Sequence, residues 1–311
     1  MTRLGGMDGF EDGSHRVTGE ITLPPSFLDM PRWWTEGAEW LAELPRAIVR
    51  QCERWDLRVV AEPAHGSNAV VVPVERDGEA LALRMTPPGT EVADQVGALR
   101  FWDGRGTVRL VDADLVHGAM LLERLAMHQT LADRPVDEAV AVLGRMMRRL
   151  AVPASSEVRS TAVTARDAAD DLEPSWLRLH KPFDKAFLAE ALNLATGLST
   201  TGSTLAVNGD LHSGQLLRGS REPWLTVDPI LLRGDIEYDL ARVLWTRLDE
   251  MVNAVDIVQH FETAVEEGGL DPALARDWVV FRSVEYWLWG LKVGLTEDPP
   301  RCQRLVSVFM A

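Results

Sequence analysis

Residues 208–239 read NGDLHSGQLLRGSREPWLTVDPILLRGDIEYD and form the densest group of reactive side chains in the chain. Asp210 is followed by the amide Gln215 and then by Asp228, which ends a predicted strand. Phosphoryl transfer needs a group that takes the proton of the attacking hydroxyl, and oxygen ligands for the Mg²⁺ that neutralises the moving charge. A carboxylate, an amide and a second carboxylate in this order therefore indicate phosphoryl-transfer chemistry.

The chain before this segment is predicted to form a small antiparallel sheet. The predicted strands lie at residues 59–61, 70–74, 81–85, 107–114 and 118–125. Asp77 and Gly78 predict a hairpin turn, and helical periodicity predicts one helix over 90–102 between the strands. A Trp-rich pattern over 28–57, which includes Trp33, predicts a further helix that precedes the sheet.

The rest of the chain is predicted to be mainly helical. Amphipathic helices end at Pro153 and Gly197, short strands return before residue 228, and helices resume over 236–295. The fold class is α+β, with a ligand cleft expected between two lobes. The predicted divisions are a mobile leader over 1–20, a sheet lobe over 21–125 and a helical lobe over 126–311.

Composition narrows the range of partners. Of the 311 residues, 46% are hydrophobic and 25% charged, which excludes a disordered chain. The net charge of −15 repels phosphate backbones and anionic lipid, so we expect no nucleic-acid or membrane partner and favour a small cationic molecule. Cys52 and Cys302 are too few for a zinc cluster or a disulfide framework, so we expect a cytoplasmic protein.

Several segments together resemble the aminoglycoside phosphotransferases, in the branch of streptomycin 6-kinase and hydroxyurea phosphotransferase. The similarity is carried by GDLHSGQ, VDP and GDIEYDLA, and extends to GALRFWDGRGTVRLVDAD and VEYWLWGLKVGLTEDPPRCQRL. It implies a protein-kinase-like fold of two lobes: a small antiparallel-sheet N-terminal lobe with one helix, which binds nucleotide, and a larger, mainly helical C-terminal lobe. It also implies an ATP- and Mg²⁺-dependent phosphotransferase, and we expect a monomer or weak dimer.

The resemblance gives the three residues of the motif their roles. Asp210 is the catalytic base, which accepts the proton of the attacking hydroxyl. Gln215 stands where the family usually has asparagine, and either side chain offers an amide oxygen to Mg²⁺. Asp228 matches the carboxylate that holds Mg²⁺ against the phosphates, although an aspartate before Pro229 is also typical of a simple turn.

Three further residues are expected to support this loop without touching the reaction. We expect His212 to pack beneath the loop and to bond the backbone. Asp239 resembles the aspartate at a helix start that braces the catalytic loop, and Asp235 is expected to cap the same turn.

The nucleotide side departs from the family pattern. Where the family has a lysine on the α- and β-phosphates this sequence has Arg84, while Ala82, on the same strand face, is the small residue expected over adenine. Arginine keeps the charge but presents a broader planar head. Gln95 replaces the usual glutamate partner, so Glu91, one turn earlier, is the expected substitute. Alternatively, Arg84 is a solvated cation on an edge strand.

Two more segments are expected to contact the nucleotide. Ser67, in the segment GSN at 66–68, occupies the position of the phosphate-covering loop, where small side chains let backbone amides approach a phosphate. An ordinary turn is the alternative. The hinge between the lobes is expected near Glu123 and Arg124, whose backbone would pair with adenine.

The acceptor pocket is expected to contain carboxylates and aromatic faces that bind ammonium or guanidinium groups. The candidates are Asp249, Glu250, Glu285, Trp287 and Trp289. Trp287 and Trp289 lie two positions apart, so one is expected to face the core and the other the cleft. Solvated carboxylates and buried tryptophans are the alternative.

Three hypotheses of function follow. The first is a kinase that phosphorylates a hydroxyl of an aminoglycoside such as streptomycin. The second is a kinase of another small hydroxyl compound, such as hydroxyurea or an amino sugar. The third is a degenerate kinase fold that binds nucleotide or a cationic ligand without phosphoryl transfer, which Arg84, Gln95 and Asn208 favour because they replace commoner residues.

Overall fold

A computed structural model describes residues 21–30 and 37–311, which form two compact units. The first unit contains the described residues up to Gly89 together with Asp112–Arg124. The second contains Thr90–Val111 and Leu125–Ala311. The junction after Arg124 lies beside the predicted boundary, but residues 90–111 belong to the second unit rather than to the predicted sheet lobe. The predicted leader and Trp33 lie outside the described residues.

A mainly antiparallel sheet organises the first unit. Its strands are β1 (Arg58–Val59), β2 (Ala64–His65), β3 (Val70–Arg76), β4 (Glu79–Met85), β5 (Leu110–Asp114) and β6 (Ala119–Glu123). The order is β1-β3-β4-β6-β5, with β2 also paired to β3. Asp77 and Gly78 both have positive φ, 53° and 81°, as a two-residue hairpin turn requires. The predicted hairpin is therefore confirmed.

Among the described residues, helices α1 (Pro25–Leu28) and α2 (Ala38–Arg54) precede this sheet. Leu44 and Ile48 of α2 are fully buried in one apolar cluster with Leu81 and Leu83 of β4. Side chains alternate across a strand, so the even-numbered positions of β4 project from the opposite face. The helix α2 therefore covers one face of the sheet, and Arg84 lies on the other.

The second unit is built mainly from helices. They are α3 (Thr90–Trp102), α4 (Val136–Leu150), α5 (Thr161–Arg178), α6 (Lys185–Leu198), α7 (Leu240–Trp245), α8 (Ala254–Gly268), α9 (Pro272–Val293) and α10 (Asp298–Phe309). The predicted helix over 90–102 is confirmed as α3. Its Trp102 donates a hydrogen bond from Nε1 to the carbonyl of Leu150, 3.0 Å away at the end of α4. This bond anchors α3 within the helical unit.

Between its helices, the second unit contains short strands and turns of 3-10 helix, most of them in residues 205–250. The strands of the second unit are β7 (Ala126–Thr130), β8 (Leu205–Val207), β9 (Leu216–Arg218), β10 (Trp224–Thr226) and β11 (Leu232–Gly234). The 3-10 turns are Leu131–Asp133, Ser213–Gln215, Ile236–Asp239 and Leu248–Glu250. β8 pairs with β11, and β9 lies between β7 and β10. Strands β8, β9 and β10 confirm the prediction, whereas β7 and β11 were not predicted.

The core of the second unit contains fully buried tryptophans, Trp245 on α7 and Trp278 on α9. Helices α7, α9 and α10 contribute to the same apolar cluster through Leu244, Val279 and Leu305. Within the described residues, no helix combines the length and apolar character that a membrane crossing needs.

We expect Gly234→Ala to lower the free energy of unfolding by about 2 kcal/mol, because overpacking and backbone strain act together. Gly234 has a φ of 153°, and a Cβ there would lie 1.9 Å from the Thr161 Oγ1. Gly202 has no atom within 4 Å of such a Cβ, so Gly202→Ala should leave stability within about 0.5 kcal/mol. Urea unfolding of both variants measures this; equal stabilities would contradict the close contact.

Candidate active site

The loop that carries Asp210 is anchored by a buried carboxylate. Gly209, with a φ of 80°, turns the chain after β8, and its N–H donates to Asp239 Oδ2 at 3.3 Å. The backbone N–H of Leu211 also bonds Asp239. Burial raises the pKa of Asp239 to about 7, and Arg282 and these backbone donors oppose that rise. Asp239 therefore ties the backbone of the loop to the start of α7.

Both oxygens of the Asp210 carboxylate have close partners. Gln215 Nε2 donates to Oδ2 at 3.0 Å, and Arg242 Nε lies 2.8 Å from Oδ1. The Arg242 N–H does not point at that oxygen, so this second contact is an ion pair rather than an aligned hydrogen bond. Asp210 keeps 31% of its side chain exposed, which leaves room for a hydroxyl to approach.

Gln215 and Asp228 lie on neighbouring segments. The backbone N–H of Val227 donates to the carbonyl of Gln215 at 2.8 Å, which fixes the end of β10 beside the 3-10 turn. Asp228 adopts a φ of 52°, an uncommon conformation for a residue with a side chain. Asp77 of the hairpin turn has a nearly identical φ of 53°, so this conformation is compatible both with a simple turn and with a ligand role.

The donor set fits a magnesium ion. Gln215 Oε1 is buried and accepts no hydrogen bond within residues 21–30 and 37–311, while Nε2 of the same amide donates to Asp210. Amide and carboxylate oxygens are the ligands that Mg²⁺ takes, alongside water and phosphate. No group of three His, Cys, Asp or Glu side chains in the described part of the chain forms a metal site. Gln215 and Asp228 are the residues of this segment that could offer oxygen ligands to a divalent ion beside a bound phosphate.

His212 makes a backbone hydrogen bond within the loop. Its Nδ1 accepts the backbone N–H of Gly214 at 3.2 Å and so caps the 3-10 turn that holds Gln215. Burial lowers the pKa of His212 to about 4, and Arg242 lowers it further while Asp210 opposes this. The imidazole is therefore neutral at physiological pH.

Asp235 does not cap the turn as predicted. Its carboxylate makes no capping hydrogen bond and instead accepts the indole N–H of Trp278 at 3.0 Å. Both partners are buried, so Asp235 serves as the acceptor for a core tryptophan of α9. Its position before the turn Ile236–Asp239 suggested a cap, but the long-range partner takes the carboxylate.

In the first unit, Arg84 is buried on a central strand. It is 3% exposed and lies on β4, between β3 and β6, so the alternative of a solvated edge cation is wrong. Its NH2 group donates to Asn68 Oδ1 at 3.2 Å. Ala82 is likewise buried, two positions earlier on the same face.

The segment 66–68 is tied to the residue that follows β4 and to the residue that precedes β3. Thr86 Oγ1 donates to the carbonyl of Asn68 at 3.0 Å, and the N–H of Gly66 donates to the carbonyl of Ala69 at 2.9 Å. The structure therefore brings the predicted phosphate loop, which includes Ser67, and Arg84 together in one unit.

The other residues predicted to contact the nucleotide are divided between the two units. Glu123 ends β6, and Arg124 is the last residue of the first unit, with its guanidinium donating to the carbonyl of Val74 at 2.6 Å. Glu91 is exposed in the first turn of α3, in the second unit. A pairing of Glu91 with Arg84 stays a prediction.

Comparisons with known proteins add to this geometry. The family model of aminoglycoside/hydroxyurea antibiotic resistance kinases matches residues 54–294. The chain belongs to this family. It is thus a kinase, a phosphotransferase with an alcohol group as acceptor, which favours the enzyme hypotheses over a fold that only binds.

The relatives of this kinase are named after two different acceptors, streptomycin and hydroxyurea. Streptomycin 6-kinase from Streptomyces glaucescens is 33% identical over 281 residues, 88% of this chain and 92% of that protein. Hydroxyurea phosphotransferase from Kitasatospora aureofaciens is 33% identical over 306 residues, 95% and 88% of the two chains. A mutant of aminoglycoside phosphotransferase APH(4)-Ia, crystallised with ADP and hygromycin B, has a TM-score of 0.57 at 17% identity and covers 83% of this chain and 97% of its own. The protein-kinase-like fold is thereby confirmed.

The predicted acceptor residues of the kinase occupy different surroundings. Trp287 is buried against Phe183, as expected for a core residue, whereas Trp289 is 48% exposed and its place in an acceptor cleft stays a prediction. Asp249 forms an ion pair with Arg301 at the surface, and Glu250 pairs with Arg247. Glu285 lies 3.5 Å from Arg282 Nε, and burial raises its pKa.

Two arginines beside the loop were not predicted. Arg242 follows Asp239 by nearly one helical turn in the segment YDLAR, a spacing that could have indicated its position next to Asp210. Arg282, a buried residue of α9, lies 3.9 Å above the ring of Tyr238, and no local pattern indicates this contact.

The low pKa of His212 makes the stability of the kinase sensitive to acid. The folded protein binds fewer protons than the unfolded chain between the ordinary pKa of 6.5 and about 4. The contribution of His212 is therefore complete above pH 6.5 and is lost as the pH falls toward 4, by at most about 1.4 kcal/mol per pH unit.

We expect His212→Asn, which keeps a capping oxygen, to flatten the fall in unfolding free energy between neutral pH and about pH 5. Urea unfolding at a series of pH values measures the slope, and His128→Asn, at an exposed position, is the control. An unchanged slope in the His212 variant would show that this imidazole does not titrate on unfolding.

Proposed function

We propose that the chain is an ATP- and Mg²⁺-dependent kinase that phosphorylates a hydroxyl group of a small cationic molecule, with Asp210 as the general base. One observation carries the proposal: the carboxylate of Asp210 is bonded to the amide of Gln215, whose oxygen accepts no hydrogen bond from the described residues. A proton acceptor and a metal-ligating oxygen are thus held side by side.

The reaction assigned to Asp210 is proton transfer during nucleophilic attack. The acceptor hydroxyl gives its proton to the carboxylate as its oxygen forms a bond to the γ-phosphorus of ATP. The bond between that phosphorus and the β,γ-bridging oxygen breaks, and ADP leaves with the electron pair. Each oxygen of Asp210 has a second lone pair beyond its contact with Gln215 or Arg242, so a hydroxyl can still bind.

Gln215 and Asp228 are the residues that would hold Mg²⁺. When bound there, the ion would neutralise charge on the phosphate oxygens. The chain contributes the fixed positions of both ligands, through the 3-10 turn capped by His212 and the backbone bond from Val227 to Gln215.

In the first unit, we assign the nucleotide phosphates to Arg84 and to the backbone of 66–68. Arg84 is held by Asn68 of the same loop, so one cation and several small residues converge there. Ala82 is the small residue on the same strand face that we assign to adenine, and the chain at Glu123 and Arg124 would supply backbone partners for the base.

The acceptor class is proposed from charge and from the relatives. The chain carries a net charge of −15, which attracts a polycationic aminoglycoside such as streptomycin. Trp289 is the half-exposed aromatic face and Glu285 the carboxylate on the same pocket that we assign to its cationic groups. Glu285 and Asp249 each already lie beside an arginine, Arg282 and Arg301 respectively. Hydroxyurea is the second candidate acceptor, because its phosphotransferase is equally similar over more of this chain.

We expect Asp210→Asn to abolish turnover, by at least about 10³-fold, because the amide cannot take the hydroxyl proton. ADP release from MgATP with and without streptomycin measures turnover, and nucleotide affinity and thermal unfolding should stay close to wild type. Asp167→Asn changes a paired surface carboxylate and should keep full activity. An active Asp210→Asn enzyme would contradict the assignment of the base.

We expect Arg84→Met to raise the KM for MgATP by about 10-fold to 100-fold, because a buried cation on the phosphates is lost. Arg84→Lys should keep most of the affinity and should not raise kcat. Arg58→Met, which breaks a surface pair with Glu75, is the matched control and should behave as wild type. A large gain of activity in Arg84→Lys would instead indicate that arginine silences the site.

A further inference from the structure

The guanidinium of Arg242 lies against the base in a defined environment. Arg242 belongs to the short helix α7, which starts directly after Asp239, and its Nε is 2.8 Å from Asp210 Oδ1. Only 18% of the Arg242 side chain is exposed. A partly buried ion pair is screened less by water than a surface pair, so this contact restrains both side chains.

Two aromatic rings hold the guanidinium in place. The rings of Trp245 and Tyr286 stack at 4.5 Å with 17° between their planes. The Arg242 Cζ lies 5.7 Å from the first ring centroid and 5.5 Å from the second. Trp245 is fully buried, so this support is part of the core.

A chain of polar contacts continues from Arg242 into the last helix. Arg242 NH1 donates to the hydroxyl of Tyr286 at 3.2 Å, and this hydroxyl donates to Asp298 Oδ2 at 3.2 Å. Arg301 NH1 donates to Asp298 Oδ1 at 3.0 Å. Helices α7, α9 and α10 thus meet at the group that contacts Asp210.

We propose that Arg242 is a positioning residue that fixes the orientation of the Asp210 carboxylate for proton transfer. The inference rests on the proposed function, because it takes Asp210 as the base. Asp210 follows a glycine with positive φ and lies in irregular backbone, so its carboxylate depends on side-chain contacts for its orientation. Gln215 restrains one oxygen and Arg242 the other, which leaves one plane for the carboxylate.

The same contacts distinguish this role from binding of the nucleotide. Nε of Arg242 is used by Asp210, and NH1 by Tyr286. Two of the three guanidinium nitrogens thus face groups of the protein, and we expect the loss of Arg242 to affect the rate of the chemical step more than the affinity for MgATP. Misplacement of a catalytic group by about 1 Å can cost about 100-fold in rate.

The test compares Arg242→Met, Arg242→Lys and Tyr286→Phe in the full-length kinase, with streptomycin and hydroxyurea each tried as acceptor. We expect kcat to fall about 100-fold in Arg242→Met and about 10-fold in Arg242→Lys, which keeps the charge but not the planar head. Tyr286→Phe, which keeps the ring and loses the hydroxyl, should show a smaller fall. The KM and Kd for MgATP should change less than about twofold in all three.

Two controls separate the possible failures. Arg276→Met removes an arginine paired with Asp277 on α9 and should leave kcat unchanged. Asp210→Asn is measured beside the Arg242 variants, and its full activity would refute the base and hence the proposed function. If Asp210→Asn is inactive but Arg242→Met keeps the wild-type kcat, only the positioning role is refuted.

Affinity and stability data decide the remaining cases. A fall in MgATP affinity that equals the fall in kcat would show that Arg242 contacts the phosphates, and would overturn the positioning role. If Arg242→Met unfolds, the decision passes to Arg242→Lys and Tyr286→Phe at temperatures where both are folded. Wild-type kcat in both of these variants would also overturn the proposal.

Discussion

The structure around the base depends on one buried carboxylate, that of Asp239. It accepts the N–H groups of Gly209 and Leu211 and so fixes the backbone on both sides of Asp210. Burial raises its pKa to about 7 even though Arg282 and the backbone donors favour the ionised form. The same residue ends a 3-10 turn from which α7 starts, and α7 then carries Arg242 to the other side of the loop.

Local sequence patterns predicted much of the fold and the order of the site. The Asp77-Gly78 hairpin, the helix over 90–102 and the short strands around Asp210 follow from turn chemistry and periodicity. Periodicity shows which residues are apolar but not what they pack against. For that reason the sequence did not show that α3 is fastened to Leu150 in the helical unit.

Long-range partners explain the remaining differences. Asp235 precedes a turn and is of a residue type that often caps one, yet its carboxylate accepts the indole N–H of Trp278 on α9. The sequence around Arg84 is compatible with an edge strand. Arg84 is buried in the middle of the sheet because β4 pairs with β6, and the local sequence does not indicate this pairing. Arg242 has a spacing signal relative to Asp239, but its contact with Asp210 depends on how α7 leaves the loop.

The central claim is transfer of the γ-phosphoryl group of ATP to a hydroxyl of a small cationic molecule. Mass spectrometry after incubation of the purified protein with MgATP and an equimolar mixture of streptomycin and hydroxyurea tests it most directly. The account predicts streptomycin that has gained a single phosphoryl group, in an amount equal to the ADP formed. A phosphorylated hydroxyurea alone would contradict the cationic acceptor, and ADP without any phosphorylated acceptor would contradict the transfer itself.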